Sequence, residues 1–224
     1  MNPIIIALDV DSASEARRIV EAVSGATSFY KVGMELYAAA GMEFVRELKA
    51  RGCQVFLDMK FYDISETVKR AVAQVAKAGV DLLTVHGSRE VMRAAVEGRG
   101  DAPLRLLGVT VLTSFDQSDL ADLGYPCAVE DLVALRVKNA REAGMDGVVC
   151  SPLELKRVGG GLLTVVPGVR SVGASAADQK RVATPADAMR DGATYLVIGR
   201  QVTRAGDPKG EVEKILNEIE GVTA

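Results

Sequence analysis

The segment LDMKFYDISET, residues 57–67, places two acids and a base within residues 58–63, where a predicted strand gives way to a helix. Because the side chains of a strand alternate between its two faces, Asp58 and Lys60 are expected on the same side, with Asp63 just beyond the strand. Exposed charge clusters of this kind are common and contribute little to stability. The segment therefore indicates an active site only if other parts of the chain bring polar groups beside it.

The rest of the chain alternates short β-rich runs with helical patterns. The predicted strands span residues 4–9, 29–32, 55–60, 81–86, 106–112, 147–150, 163–166 and 195–198. The predicted helices span residues 12–23, a segment from 36 to near 52, a segment from 68 to 79, and residues 89–96, 129–143, 152–158, 185–190 and 208–219. Asp11 or Ser12 is expected to cap the first helix. Eight βα units favour an α/β (β/α)8 TIM barrel, one domain over residues 1–224, rather than a doubly wound open sheet.

Polar residues follow nearly every predicted strand. In chain order they are Asp9, Lys31, the group at positions 58, 60 and 63, His86, Thr113, Ser114, Ser151, Arg170 and Arg200. Barrel enzymes carry their chemistry at the C-terminal ends of the strands, and a purely structural barrel would not need polar groups there. We therefore predict that this end of the barrel holds an active site.

The last two strand ends are typical of a phosphate site. Glycine turns offer free backbone N–H groups, and arginine adds a bidentate cationic donor. The candidate groups are Gly168, Arg170, Gly199 and Arg200. Gln179, in the loop that follows residue 171, could close over a bound anion and donate from its amide. Together these residues predict a phosphorylated small-molecule substrate.

Composition excludes several classes of partner. The chain has 224 residues, 48% of them hydrophobic, and a net charge of −3 with mixed signs, so no basic face is expected for nucleic acid or a membrane surface. No apolar run approaches the ~18 residues of a membrane helix, and the first residues do not resemble a basic leader. Cys53, Cys127 and Cys150 are far apart and lack a metal-ligand spacing. A cytoplasmic protein without a metal site is the expectation.

The motifs resemble those of the orotidine 5'-monophosphate decarboxylase family. The segment LDMKFYDISETV is similar to the family signature LDxKFxDIPxTV, and other motifs agree in order over nearly the whole chain. These are ALD with Asp9, KVG with Lys31, VTVLTS with Thr113, PGVR with Pro167 and Arg170, DQKRVATP with Gln179, and IGR with Gly199 and Arg200. Tyr62 stands where many members have His, and Ser65 where Pro is usual. Neither departure removes a charged group, so both bear on loop geometry or on the subfamily rather than on the chemistry.

The resemblance implies removal of the C6 carboxylate of orotidine monophosphate, a step of de novo pyrimidine biosynthesis, without a metal or organic cofactor. The departing carboxylate leaves an electron pair in an sp² orbital with no adjacent π-system, so the barrier must fall by an amount near the upper end of the ~8–23 kcal/mol that enzymes provide. By its motif position, Lys60 stabilises this carbanion and supplies the proton. Lys31, Asp58 and Asp63 match the remainder of the family's catalytic network.

The resemblance also implies how the substrate is held. Asp9 and Lys31 match groups at the ribose hydroxyls, and Thr113 with Ser114 matches the strand end at the pyrimidine or ribose. The phosphate group is implied to contact Pro167, Arg170, Gln179, Gly199 and Arg200. Asp63, Ile64 and Thr67 are implied to reach the partner subunit's site, which predicts a homodimer with shared active sites. His86, the only histidine, is interpreted as a hydrogen-bonded structural residue.

Two alternatives stay open from the sequence. Sugar-phosphate decarboxylases and aldolases of the same barrel group share an Asp-x-Lys-x-x-Asp core but use Mg²⁺. Those enzymes typically have Glu at the end of the second strand, where this chain has Lys31. A non-catalytic nucleotide-binding barrel would be favoured by loss of Lys60 or of a carboxylate partner, and none is lost.

Overall fold

A closed barrel of parallel strands forms the centre of the molecule. The structure is a computed structural model that describes residues 2–172 and 183–221. The strands are β1 Ile4–Ala7, β2 Phe29–Gly33, β3 Gln54–Phe61, β4 Leu82–His86, β5 Arg105–Val109, β6 Gly147–Val149, β7 Leu163–Val166 and β8 Tyr195–Ile198. Each strand pairs with the next, and β8 returns to β1 with Ile4 opposite Leu196. The predicted (β/α)8 barrel is confirmed over the open sheet.

Helices connect the strands. They are α1 Ala13–Ala22, α2 Met34–Ala50, α3 Ser65–Lys77, α4 Arg89–Arg99, α5 Gln117–Asp122, α6 Val129–Ala143, α7 Leu155–Val158 after a 3₁₀ turn at Pro152–Glu154, α8 Pro185–Arg190, α9 Arg200–Thr203 and α10 Pro208–Glu220. Ser12 rather than Asp11 caps α1, because its hydroxyl accepts the N–H of Glu15 at 3.4 Å. Two short helices, α5 and α9, were not among the predicted elements. None of the helices in the described ranges is long and apolar enough to span a lipid bilayer.

The barrel interior changes from apolar to polar along the strands. Its apolar part is a cluster of inward-facing residues: Ile5, Ala7, Phe29, Phe56, Leu82, Leu107, Val165, Tyr195 and Val197. Two residues further along β2, β3 and β4, the positions on the same side are Lys31, Asp58 and Thr84. A second and larger core of aliphatic side chains includes the apolar faces of the surrounding helices. The polar end of the barrel is therefore set into a tightly packed frame.

Strand β3 leaves regular pairing near its C-terminal end. Leu57 lies opposite Leu83, but Phe61 lies opposite Val85, so four steps along β3 match two along β4. Within this bulge Lys60 has φ of 50°, and it is the one non-glycine residue of the described ranges with a positive φ. A left-handed conformation costs an L-residue roughly 1–2 kcal/mol, so neighbouring contacts must hold it. The alternation rule alone did not indicate this bulge.

Candidate active site

A pocket of about 610 Å³ opens at the C-terminal ends of the strands. It is lined by most of the predicted site residues: Asp9, Lys31, Asp58, Lys60, Thr113, Ser114, Pro167, Arg170, Gly199 and Arg200. Asp63, Ile64 and Thr67 do not line it, and all three are exposed on the segment that follows β3. Gln179 lies outside the described residues. The strand ends thus bring together, at one mouth, groups that are as much as 191 positions apart in the chain, from Asp9 to Arg200.

One side of the pocket carries a row of alternating charges. The Lys31 ammonium lies 2.7 Å from Asp9 Oδ1 and 3.8 Å from Asp58 Oδ2. The Lys60 ammonium lies 2.9 Å from Asp58 Oδ1. The side chains of Lys31 and Asp58 are only 9% and 14% exposed, and charges this buried require paired partners. The row is therefore a preformed network in which each central group is fixed by two opposite charges.

Asp58 is ionised within this network. Burial opposes its negative charge, but the ammonium groups of Lys31 and Lys60 and hydrogen bonds from Lys60 and Thr84 outweigh that effect. The pKa of the Asp58 carboxyl is consequently lower than its usual value. An acceptor-only carboxylate between two ammonium groups keeps both of them in fixed positions.

Gly33 and Thr84 complete the network, and sequence reasoning missed both. A Cβ at Gly33 would lie 2.9 Å from Asp9 Oδ1 and 2.9 Å from Lys31 Nζ, so the ion pair needs the space that glycine leaves. The Thr84 hydroxyl donates to Asp58 Oδ1 at 2.9 Å. A signal for Thr84 existed, because a threonine at an inward position of the apolar strand LLTVH is conspicuous. Gly33 gave no separate signal, since glycine at the end of a strand is common.

The other side of the pocket is rich in arginine. Arg170 and Arg200 line it, and Arg204 joins them from the residue after α9. Arg170 is half-buried, and its Nη1 donates to the carbonyl of Val169 at 2.6 Å. Burial, together with the nearby Arg200, lowers the pKa of the Arg170 guanidinium. Mutual repulsion of this kind is relieved by a bound anion, so this side of the pocket suits a phosphate group.

The segment Tyr62 to Thr67 projects from the barrel. All six of its residues are exposed, and the side chains of Tyr62 and Ile64 are 68% and 73% exposed. Asp63 Oδ1 accepts the N–H of Ile64 at 2.7 Å, and no ion pair to Lys60 is present in this described segment. An exposed apolar pair beside an acid is a surface that another protein chain could cover.

His86 lies outside the pocket. Its ring is stacked on Tyr62 with centroids 4.1 Å apart, and its Nε2 lies 3.4 Å from Nη2 of Arg136. Its buried Nδ1 has no hydrogen-bond partner within residues 2–172 and 183–221. Burial, aided by the Arg136 charge, lowers the pKa of His86 to about 4. The imidazole is thus neutral near pH 7, and His86 contacts Tyr62 and Arg136 rather than lining the pocket.

The chain is similar to known proteins over nearly its whole length. A model of the orotidine 5'-phosphate decarboxylase / HUMPS family matches residues 2–215. The orotidine 5'-phosphate decarboxylase of Nitrobacter winogradskyi is 50% identical over 220 residues, which cover 96% of this chain and 92% of that protein. The enzyme of the same name from Caulobacter sp. strain K31 is 49% identical over 223 residues, covering 98% and 97% of the two chains.

Solved structures show the same similarity. The crystal structure of orotidine 5'-phosphate decarboxylase from Lactobacillus acidophilus superposes with a TM-score of 0.84 at 34% identity, covering 98% of this chain and 99% of that one. An uncharacterized conserved protein from Geobacillus kaustophilus superposes with a TM-score of 0.83 at 38% identity, covering 97% of this chain and 100% of that one. Fold, motifs and sequence agree over nearly the full length, and the chain belongs to the orotidine 5'-phosphate decarboxylase / HUMPS family.

Proposed function

We propose that this protein decarboxylates orotidine 5'-monophosphate to uridine 5'-monophosphate and CO2. The observation that carries the proposal is the pocket itself, in which a row of alternating charges faces a group of arginines. A nucleotide substrate would place its phosphate among the arginines and its base beside the charge row. The relatives named above are orotidine 5'-phosphate decarboxylases, which supports the same substrate.

Lys60 is proposed as the group that meets C6 of the pyrimidine. As the C6 carboxylate leaves, its electron pair stays on C6, and a nearby ammonium stabilises that charge and then transfers a proton to it. Asp58 holds Nζ of Lys60 at 2.9 Å, and Lys31 holds Asp58 from the other side. Because these charges are in place before the reaction, little reorganisation is needed in the transition state.

The remaining pocket residues are proposed to orient the substrate. Asp9 and Lys31 would bind the ribose hydroxyls, and Thr113 with Ser114 would contact the pyrimidine or ribose. The phosphate would lie among Pro167, Arg170, Gly199 and Arg200, with Gln179 closing over it. The phosphate does not react, but binding energy from a remote group can align the reacting one.

A homodimer with shared sites is proposed as the active form. Asp63, Ile64 and Thr67 are exposed and do not line the pocket of their own subunit. The residues just after Lys60 project an acid and an apolar side chain, which suits their insertion into a second copy of the chain. There Asp63 would extend the charge row of the partner's site.

We further propose that residues 1–224 form one domain and act in the cytoplasm. Cys53, Cys127 and Cys150 form no disulfide within the described ranges, which suits a reducing compartment.

The Mg²⁺-dependent sugar-phosphate reactions are the competing assignment, because the family description joins two names. Lys31 opposes them. Its ammonium lies 3.8 Å from Asp58 Oδ2, and a cation already occupies the position from which a carboxylate would bind the metal.

The decisive experiment follows the ultraviolet absorbance of orotidine monophosphate mixed with purified protein in excess EDTA. A fall in absorbance, with uridine monophosphate identified as the product, is the expected result. A flat trace from folded, dimeric protein would contradict the proposal. Activity on a sugar phosphate that requires added Mg²⁺ would then support the competing assignment.

A further inference from the structure

We propose that Thr84 is a positioning residue for the decarboxylation, fixing both the backbone of Lys60 and the carboxylate of Asp58. Thr84 lies on β4, fully buried, two residues beyond Leu82 of the apolar interior cluster. It does not line the pocket, and no family motif above includes it. The kinetic test of this proposal rests on the proposed function. The hydrogen bonds of Thr84 on which the proposal is based do not depend on the substrate.

The Thr84 hydroxyl joins two groups of the bulged stretch of β3, the backbone of Lys60 and the side chain of Asp58. It accepts the backbone N–H of Lys60 at 2.9 Å, and it donates to Asp58 Oδ1 at 2.9 Å. The ammonium of Lys60 donates to the same Oδ1 at 2.9 Å. A closed ring of hydrogen bonds therefore runs from the Lys60 backbone through Thr84 and Asp58 to the Lys60 side chain.

The bulge explains why a side chain is needed at this point. Between the Leu57–Leu83 and Phe61–Val85 pairs, β3 has two more residues than β4, so the regular ladder is interrupted. The Lys60 N–H then finds its partner in a hydroxyl of β4 instead of a carbonyl. Lys60 also carries a positive φ, a conformation that persists only where surrounding contacts enforce it. Thr84 supplies such a contact.

The donor and acceptor roles are also fixed. A hydroxyl has one hydrogen to donate, and here an N–H already occupies an acceptor position. Its hydrogen is therefore directed at Asp58, which as a carboxylate can only accept. Valine has the same shape as threonine but can make neither bond, whereas serine can make both.

The test compares Thr84→Val, Thr84→Ser and a matched control, Thr164→Val. Thr164 on β7 is also buried, donates to the Gly192 carbonyl and accepts the Thr194 N–H, both at 2.9 Å, and does not line the pocket. The control thus removes the same pair of bonds from a place remote from Lys60. The measurements are kcat and KM in EDTA, affinity for uridine monophosphate, Tm, and hydrogen exchange of the Lys60 amide.

We expect Thr84→Val to lower kcat roughly 10- to 100-fold, since small displacements of reacting groups have effects of this size. Product affinity should stay within about 3-fold, because Thr84 does not line the pocket and the arginines proposed to bind the phosphate are untouched. Exchange at the Lys60 amide should become faster, and Thr84→Ser should restore both quantities. Thr164→Val should lower Tm without lowering kcat.

Three results would overturn the proposal. The first is an unchanged kcat in Thr84→Val, and the second is a loss of kcat in Thr84→Ser as large as that in Thr84→Val. The third is a loss of kcat in Thr164→Val as large as that in Thr84→Val when the two variants have the same Tm. If the wild-type protein does not decarboxylate orotidine monophosphate, the proposed function fails, and amide exchange decides the positioning of Lys60 by itself. Faster exchange only in Thr84→Val would support Thr84, and unchanged exchange would overturn it.

Discussion

Lys60 combines an unfavourable backbone conformation with a paired side chain. Its φ of 50° places the chain in a region that L-residues avoid, and its ammonium is bound to Asp58 at 2.9 Å. Strain of this kind is retained where it orients a functional group. The unfavourable backbone conformation of Lys60 thus accompanies an ammonium group that lies in the pocket.

Replacing Lys60 with alanine should abolish turnover. Loss of both the carbanion-stabilising charge and the proton donor is expected to reduce kcat by more than about 10⁴-fold. Lys214→Ala, which removes an exposed lysine on α10, is the control and should retain full activity. Circular dichroism and uridine monophosphate binding would show that the fold is intact. Substantial turnover by Lys60→Ala would contradict the role assigned to this lysine.

Gly33→Ala should damage the site without straining the backbone. The φ of Gly33 is −96°, which alanine adopts easily, but the added methyl would lie 2.9 Å from both members of the Asp9–Lys31 pair. We expect kcat/KM to fall roughly 10-fold or more as that pair separates. At Gly160 a Cβ would meet no atom within 4 Å, so Gly160→Ala is the matched control. Equal activity of the two variants would show that the pair tolerates displacement.

Sequence reasoning named the acidic and basic residues that line the pocket, but not the residues that support them. Asp9, Lys31, Asp58 and Lys60 could be predicted because charged residues stand out where apolar strands end. The bond from Thr84 depends on which residue of β4 lies beside the β3 bulge, and a bulge changes that register.

At the scale of elements, the connection from β3 to α3 determines where Asp63 lies. Lys60 points into the pocket, and three residues later Asp63 is exposed outside it. Tyr62 rests on the His86 ring, so the projecting segment is supported at its base. In the proposed dimer, the same short connection would serve one site with Lys60 and the partner's site with Asp63.

Mixing Lys60→Ala and Asp63→Ala subunits should recover activity if sites are shared. In a random mixture half of the dimers are hybrids, and each hybrid has one site with both groups intact, so about a quarter of the wild-type activity is expected. The comparison is with each variant alone, after subunit exchange has been verified by mass spectrometry of tagged chains. Complete exchange without recovery would mean that Asp63 does not act in the partner's site.

The short helix α9 presents Arg200 to the arginine-rich side of the pocket. Arg200→Ala should raise KM for orotidine monophosphate about 10- to 100-fold through lost charge-assisted hydrogen bonds. Reaction of the phosphate-free nucleoside should be unaffected, because that substrate cannot use the arginine. A parallel loss with both substrates would indicate misfolding rather than loss of the phosphate contact.

Element boundaries were predicted least well where the chain leaves the barrel at the pocket. The first strand was expected to extend to Asp9 but ends at Ala7, and the fifth was expected to reach Leu112 but ends at Val109. Residues beyond those ends, among them Asp9 and Val111, line the pocket. Apolar patterning cannot separate a strand residue from a pocket-lining one that is equally apolar. Helix α5 depends on an Asp116 capping box, which local hydrogen bonding rather than hydrophobic periodicity creates.

In the whole molecule, the barrel interior is apolar at one end and charged at the other. The apolar cluster centred on residues such as Phe56 and Leu82 fills one end of the barrel, and the charge row takes the other. The barrel itself could be predicted because eight alternating units leave few other arrangements. The pocket's volume and the relation of Arg204 to Arg170 arise from barrel closure, so the sequence held no local signal for either.

Stability should decrease in mild acid because of His86. Its pKa is lowered to about 4 in the folded protein from the usual 6.5, so between these values the unfolded chain binds a proton that the folded chain does not. The free energy of unfolding should therefore fall as pH decreases from about 6.5 to about 4. Urea unfolding of the wild type and His86→Gln at pH 7 and pH 5 tests this. An identical pH effect in both proteins would exclude His86 as its source.

Closure of the barrel has a consequence for synthesis of the chain. Ile4 pairs with Leu196, so β1 keeps an unpaired apolar edge until β8 has emerged from the ribosome. At about 5–20 residues per second, the ribosome needs roughly 10–40 s to make the intervening chain. During that time the nascent protein presents an open sheet edge of the kind that invites aggregation. A chain that ends before residue 195 should therefore bind chaperones instead of folding into a closed barrel.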